Sequence, residues 1–184
     1  MVDCKKTVLA SEKERLCYPR YAHPNTMTKS TGSAQEQLFS ALQTAKNRLE
    51  YLTRNDWALI IDRAQRLTFK ENEKLVEQGK QTKTLYLVAA GKVNVAVVKT
   101  PIARIGPGEI CGEMAFLENS VPSATATAED AIEAYALGWD VLENLFELYP
   151  HLASRFYRSL AVILSRRLRE QIAKGTDDDT NHPE

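Results

Sequence analysis

Apolar residues recur at three- and four-residue spacing near the start of the chain, and this is the period of an amphipathic helix. The positions that follow this period are Leu38, Leu42, Ala45, Leu49 and Leu52. A second, short helix is predicted to follow, with Thr53 or Asn55 as its N-cap and Trp57 among its core residues. Together these patterns predict a helical segment over residues 35–66.

The helical period returns after Gly138 and predicts a pair of helices over residues 139–174. Pro150 is predicted to end the first of them, because the residue before a proline is biased away from helical geometry. In the second helix, apolar residues lie four apart, at Phe156, Leu160, Leu164, Leu168 and Ile172. Gly175 fits the position just after a helix end. The stripe predicts packing either on the rest of the domain or on a second copy, as a homodimer.

Between the two helical parts, residues 67–138 consist of short β-prone runs separated by turn signals. The clearest runs are residues 68–70, 74–77, 84–88, 93–98 and 132–137. Glycines such as Gly79 and Gly91 mark turns between them. Strands this short and this regularly spaced predict a β-roll or barrel rather than βαβ units.

The two ends of the chain lack such patterning. Residues 1–34 are polar, contain Pro19 and Pro24, and are predicted to form a flexible arm. An arm that binds a partner is the alternative. Residues 175–184 are predicted to form an acidic tail.

The charge balance limits the classes of partner. The 184 residues include 24 basic and 24 acidic side chains, which argues against an overall electrostatic surface for nucleic acid or membrane. The basic run of Arg166, Arg167 and Arg169 is interpreted as a solvated helix face. Neither a signal peptide nor a stretch of ~18 apolar residues is predicted, so no membrane association is expected.

The cysteines and histidines give no sign of metal binding or catalysis. Cys4, Cys17 and Cys111 include no close pair, so neither a disulfide framework nor a zinc site is predicted and a cytoplasmic location is favoured. The histidines are not spaced to pair with Cys111 or Ser123, and no P-loop lysine is present. We therefore expect no enzymatic activity and no cofactor.

The segment from Gly106 to Leu117 carries the candidate chemistry. Its glycines and Pro107 predict a tight turn before a short helix, where free backbone amides and the helix dipole favour a phosphate. Glu113 at that helix start would repel a bare phosphate but suits a ligand that also presents a hydroxyl group, as a ribose does. A Gly-rich turn with an exposed Glu113 is the alternative interpretation.

The order of motifs from Phe69 to Leu137 resembles the cyclic-nucleotide-binding domain of bacterial catabolite-activator-type regulators, protein kinase A regulatory subunits and gated channels. The matching elements are Phe69-x-x-Asn72-x-x-Leu75, Gln78-Gly79, Leu85-Tyr86-Leu87-Val88-x-x-Gly91-x-Val93, Gly106-x-Gly108, Gly112-Glu113-Met114-Ala115-Phe116-Leu117 and Ala124-Thr125-x-x-Ala128. With its flanking helices, the resemblance covers roughly residues 36–173.

The resemblance implies a mainly β fold with flanking helices (α+β), an eight-stranded, jelly-roll-like β-roll (a double-stranded β-helix). In the family, the equivalent of Glu113 accepts a hydrogen bond from the ribose 2′-hydroxyl, and the equivalent of Gly112 allows close backbone approach. Backbone amides near Ala115 and Ser123 would contact the cyclic phosphate, and the last helix, roughly residues 152–173, would relay occupancy. The predicted ligand-binding residues are Gly112, Glu113, Met114, Ala115, Ser123 and Ala124, with cAMP or cGMP as possible ligands.

The sequence departs from the family pattern at Pro122, where the phosphate-binding arginine is expected. Losing a charge-assisted hydrogen bond to phosphate costs about 1.5–3 kcal/mol of binding free energy. Arg104 is a candidate replacement cation. Cys111 stands where the family often has a bulky residue and is interpreted as a small buried hydrophobe, with redox sensing as the alternative.

Two functions follow as hypotheses. The first is a regulatory module that senses a cyclic nucleotide or a related nucleotide. The second is a degenerate domain that binds no nucleotide and acts as a scaffold for an unknown protein partner. Direct DNA binding is not expected, because few residues follow the last predicted helix and no recognition helix fits there.

Overall fold

The computed structural model describes residues 31–178, with side chains described for residues 36–173. The helices are α1 (Thr31–Thr44), α2 (Arg54–Asp62), α3 (Glu113–Glu118), α4 (Trp139–Leu148) and α5 (Pro150–Asp178). The strands are β1 (Gln65–Phe69), β2 (Lys74–Val76), β3 (Thr84–Ala90), β4 (Val93–Val97), β5 (Thr100–Ile105), β6 (Ile110–Cys111), β7 (Thr125–Ala128) and β8 (Ile132–Gly138). Most of the predicted arm, with Cys4 and Cys17, and the end of the predicted acidic tail lie outside the described residues.

The strands form two four-stranded antiparallel sheets, in the orders β1-β8-β3-β6 and β2-β7-β4-β5. Non-consecutive strands are neighbours in both sheets, which is the arrangement of a β-roll. The predicted eight-stranded roll with flanking helices is therefore confirmed. β5, β6 and β7 were not among the clearest β-prone runs, because they are short or interrupted by Pro101.

The first sheet is covered on both faces, which explains the continuous apolar character of β3. Leu85 and Leu87 pack with the helices, whereas Val88 packs inside the roll with Val93 and Ile132. Since successive strand residues point to opposite faces, a strand that is buried on both sides has no polar face to show. The roll thus has an interior core and a second core between its first sheet and the helices.

A capping box begins α2 at Thr53. The Thr53 hydroxyl accepts a hydrogen bond from the Asp56 N–H at 3.2 Å, and the Asp56 carboxylate accepts one from the Thr53 N–H at 2.8 Å. Two otherwise unpaired backbone donors are satisfied in this way. Thr53 is therefore the N-cap, and the alternative Asn55 lies inside the helix.

The turn at Gly106–Gly108 docks α1 against the roll. Gly108 has φ +84°, and a β-carbon there would overlap the Ala41 carbonyl oxygen and lie 2.9 Å from Ala45 Cβ. The buried Glu109 carboxylate accepts hydrogen bonds from the N–H groups of Asn47 at 2.9 Å and Gly106 at 3.1 Å. This turn therefore holds the N-terminal helix in place.

The predicted boundary at Pro150 is confirmed: α4 is capped by Tyr149, and Pro150 is the first residue of α5. Proline is tolerated at that position because its missing N–H would have no intrahelical acceptor. The prediction that Gly175 follows the helix end is wrong, because α5 continues to Asp178. A single glycine weakens a helix by about 1 kcal/mol but does not end it.

The apolar stripe of α5 divides into two parts. Phe156, Leu160 and Ile163 are buried in the core that the helices share with the first sheet, so this half packs on its own domain. Leu168 is 62% exposed. The homodimer stays a prediction. Within the described part of the chain, no helix is long and apolar enough to cross a bilayer.

Candidate functional site

A cavity of about 670 Å³ lies between the roll, α3 and α5, within the size range of small-molecule sites. Its walls are largely apolar, with Val76 and Val95 from the roll and Leu164 from α5. All of the predicted ligand-binding residues line it, namely Gly112, Glu113, Met114, Ala115, Ser123 and Ala124. The structure thus brings these residues together, and their contact with a ligand stays a prediction.

Gly112 links β6 to α3 and has φ +89°, in the left-handed region that glycine occupies without strain. A β-carbon there would lie 3.0 Å from the Thr84 carbonyl oxygen on β3. The glycine is therefore required by the backbone itself. It turns the chain so that Glu113 begins α3 at the wall of the cavity.

The Glu113 side chain is only 5% exposed and forms an ion pair with Arg167 of α5, whose side chain is 22% exposed. The guanidinium Nη1 donates a hydrogen bond to Glu113 Oε1. Both residues line the cavity. The alternative interpretation of an exposed Glu113 in a Gly-rich turn is wrong, because Glu113 is buried. Burying a carboxylate is costly unless it is paired, and Arg167 supplies the partner.

Pro122 is buried in the cavity wall, and its carbonyl oxygen accepts a hydrogen bond from the Gly79 N–H at 2.9 Å. The position that the family resemblance assigns to a phosphate-binding arginine is therefore apolar here and engaged with the β2–β3 turn. Any cation that meets a phosphate in this cavity must come from another position.

Among the described residues, three cations line the cavity, and each is paired with a carboxylate. Arg104 donates hydrogen bonds to Glu129, including one from Nε at 2.8 Å, and its side chain is 65% exposed. Lys46 contacts Glu170 at 2.7 Å and is 72% exposed. Arg167 is the most buried of the three. Arg104 lines the cavity in an exposed ion pair with Glu129, and its candidacy as the replacement cation stays a prediction.

Cys111 lies at the end of β6 in the same wall and is 2% exposed. Burial raises the pKa of its thiol far above the ordinary value, and the neighbouring Glu113 carboxylate adds to this rise. Because the thiolate is the reactive form, these surroundings disfavour redox sensing and agree with a small buried hydrophobe.

Besides the Lys46–Glu170 pair, other polar contacts tie α5 to the N-terminal helical segment. Arg155 forms a two-point ion pair with Asp56, at 2.6 and 2.8 Å, and Arg166 contacts Glu50 at 2.8 Å. The Tyr51 N–H donates to the Ser159 hydroxyl at 3.1 Å. The helix that carries Arg167 is thus fixed to residues before the roll as well as to the roll itself.

Two of these contacts shift the acidity of their carboxyl groups. Burial of Asp56 raises its pKa, but hydrogen bonds from Arg155 and Thr53 outweigh burial and hold the pKa below its ordinary value. A hydrogen bond from Arg166 lowers the pKa of Glu50. Both acids therefore stay ionised in the folded chain at neutral pH.

Sequence reasoning missed Arg167 as a site residue and assigned it to a solvated face. The structure places it in the cavity wall, and Arg166 likewise contacts Glu50. A signal was present, because Arg167 lies four residues after Ile163 and seven after Leu160, on the same helix face. An arginine inside an apolar stripe indicates a buried partner.

Among the described residues, no cluster of histidine, cysteine and acidic side chains is arranged to hold a metal ion. The cavity combines largely apolar walls with the buried Glu113–Arg167 pair. Such a site suits a ligand with an apolar body, a hydroxyl donor and an anionic group.

Comparison with known proteins agrees with this geometry. Residues 66–149 match the family model of the cyclic nucleotide-binding domain. The cyclic AMP receptor protein of Thermus thermophilus is 35% identical over 58% of this chain and 50% of its own length. Cyclic GMP-binding protein C of Dictyostelium discoideum is 26% identical over 67% of this chain and 5% of its own length. The chain thus spans half or less of these relatives.

Solved structures share the fold. The catabolite activator protein of Thermus thermophilus superposes with a TM-score of 0.57 at 30% identity, over 73% of this chain and 61% of that one. A cyclic nucleotide-binding domain from Methylobacillus flagellatus superposes with a TM-score of 0.65 at 22% identity, over 81% of this chain and 85% of that one.

Proposed function

Residues 66–149 form a domain of the cyclic nucleotide-binding family, and from this premise we propose that the chain is a regulatory module that binds a cyclic nucleotide in the cavity. Relatives named for cyclic AMP and cyclic GMP binding support the ligand class. The proposal includes no catalytic step, no direct DNA binding and no membrane attachment. A cytoplasmic location and homodimer formation through α5 are further predictions.

The observation that carries the proposal is the buried Glu113 carboxylate in the wall of a cavity of ligand size. A buried carboxylate is costly unless it is paired, and its partner Arg167 lines the same cavity. In a ligand site the carboxylate accepts hydrogen bonds from hydroxyl groups, and a ribose 2′-hydroxyl is such a donor. Met114, Ala115, Ser123 and Ala124 are the proposed further contacts.

A route for relaying occupancy begins at α3, the helix that carries Glu113. Phe116 of α3 packs edge-on against Trp139 of α4 at 5.7 Å and against Phe156 of α5 at 6.3 Å. A shift of α3 on ligand binding would therefore be felt by both C-terminal helices, since packed cores rearrange in discrete steps.

The proposal is tested by calorimetric titration of the full chain with cAMP, cGMP and cyclic dinucleotides, beside a Glu113→Gln variant. We expect saturable binding that weakens about tenfold or more in Glu113→Gln, because a charge-assisted hydrogen bond becomes a neutral one. Glu118→Gln is the matched control: Glu118 lies on the same helix and is exposed, so binding should not change. Equal binding by Glu113→Gln and the control would contradict the proposed role of Glu113.

A second candidate, a scaffold that binds no nucleotide, is favoured by one observation. Pro122 is buried where the family resemblance expects the phosphate-binding arginine. The same titration separates the two functions. Absence of heat with every nucleotide, from a folded sample at millimolar ligand, would contradict nucleotide sensing and favour the scaffold.

A further inference from the structure

We infer that Arg167 of α5 contacts the anionic group of the ligand. The positive charge that meets this group then comes from the C-terminal helix and not from the roll. This inference rests on the proposed function, because it assigns a ligand-contacting residue to the same cavity. It follows from the position, the burial and the present partner of Arg167.

Arg167 is the cation best placed to attract an anion in this cavity. Its side chain is 22% exposed, compared with 65% for Arg104 and 72% for Lys46. Coulomb attraction strengthens as water is excluded, whereas exposed charges are screened by solvent and salt. Arg104 and Lys46 form exposed ion pairs with Glu129 and Glu170, so solvent screens their charges more than that of Arg167.

The guanidinium group has donors to spare. It carries five N–H groups in a planar fork, and the hydrogen bond to Glu113 comes from Nη1. A phosphate oxygen can therefore be bound without leaving a charge unpaired, which is the condition for a low energetic cost in a buried site. Arginine also suits phosphate better than lysine, because its fork can bind two oxygens at once.

The Glu113–Arg167 pair favours a ligand that presents both an anion and a nearby hydroxyl group. Such a ligand satisfies both partners: its hydroxyl donates to Glu113 and its anionic oxygen accepts from Arg167. Inorganic phosphate would bind Arg167 but leave the Glu113 carboxylate facing an anion. A neutral nucleoside would offer nothing to Arg167. The pair thus predicts selectivity for a sugar phosphate over either fragment.

This contact couples the ligand to α5. In the structure, the ion pair joins α3 to α5 directly across the cavity. When the ligand binds, the spare donors of Arg167 contact it, so the same helix gains a bond to the ligand beside its bond to α3. Occupancy of the cavity would thereby change how α5 is held.

The test is a double-mutant cycle on the full chain, by calorimetry with the cyclic nucleotide that the wild type binds best. If Arg167 only positions Glu113, Arg167→Gln should have no further effect once Glu113 is already Gln. If Arg167 contacts the anion, Arg167→Gln should lower affinity about ten- to a hundredfold in both the wild-type and Glu113→Gln backgrounds. Adenosine and inorganic phosphate serve as the ligand-side probes and should bind at least about tenfold more weakly.

Arg169→Gln is the matched control, since it removes the same charge two residues away from an exposed side chain that bonds within α5. Its affinity should equal that of the wild type. Arg167→Lys keeps the charge and is the second variant if Arg167→Gln fails to fold; we expect about a three- to tenfold loss because the fork is gone. Unchanged affinity in Arg167→Lys and Arg167→Gln overturns the inference alone. No binding by the wild type overturns both the inference and the proposed function.

Discussion

Single residues in this domain show how backbone geometry and charge pairing together shape a site. Gly112 takes φ +89° to start α3, and the turn brings Glu113 into the cavity wall beside Arg167. Pro122 fills the position that the family resemblance assigns to arginine. The site therefore keeps a carboxylate and draws its most buried guanidinium from another element.

Alanine substitutions at three glycines distinguish the free-energy cost of a strained backbone from that of a steric overlap. At Gly106, an alanine side chain has open space and no positive φ to adopt. At Gly79 it has open space, but the backbone has a positive φ of +74°. At Gly108 the φ is positive and the side chain would also overlap the backbone of α1. We expect losses in unfolding free energy of about 0–0.5, about 1 and at least about 2 kcal/mol, respectively. Urea denaturation of the three variants measures these losses and their order. Equal losses at Gly79 and Gly108 would contradict the docking of α1 on this turn.

At the scale of elements, α5 is the member that joins the parts of the domain. Its first half packs into the core through Phe156 and Leu160, and its arginines contact residues of the N-terminal segment and of α3. A helix that lines the cavity and also contacts the N-terminal segment can respond to a ligand and pass on the change.

The Asp56–Arg155 ion pair predicts how this junction responds to acid. The pKa of Asp56 is lower in the folded chain than its ordinary value of about 3.9. The unfolded chain therefore binds more protons near that pH, so the contribution to stability is present above about pH 4 and is lost as the pH falls through the folded pKa. Asp56→Asn should cost about 2 kcal/mol at pH 7, since it breaks a partly buried pair, and the difference from wild type should shrink on acidification.

Asp62→Asn is the control for this prediction, because Asp62 is exposed on the same helix. Its effect should stay within about 0.5 kcal/mol at any pH. Urea denaturation from pH 7 to pH 3 measures both variants. A wild-type to Asp56→Asn difference that is constant across that range would contradict the stabilising role of the ionised pair.

For the whole molecule, the sequence predicted the architecture well because its signals are local. Capping at Thr53, the boundary at Pro150 and the ordered glycine motifs of the roll are all confirmed. The failures are of two kinds. Gly175 was assigned to a helix end by propensity alone, which the rest of α5 overrides. Arg167 was assigned to solvent because its partner Glu113 is 54 positions away, and only tertiary packing brings them together.

The candidate site was predicted in part for the same reason. Contiguous motifs place Gly112 to Ala115 and Ser123 to Ala124 on one cavity wall, and the structure brings them together there. The opposite wall comes from α5, whose rotation about its own axis is set by packing of Leu160 and Ile163. Helix periodicity gives that rotation, but it does not give the partner.

The central claim is that a cyclic nucleotide occupies the cavity between α3 and α5. Amide hydrogen exchange of the full chain, with and without saturating nucleotide, tests this claim most directly, because it reports both binding and its location. The account predicts slower exchange in residues 112–118 and 164–171, with smaller changes in the strands far from the cavity. Unchanged exchange in both segments, at a nucleotide concentration that saturates the calorimetric signal, would contradict it.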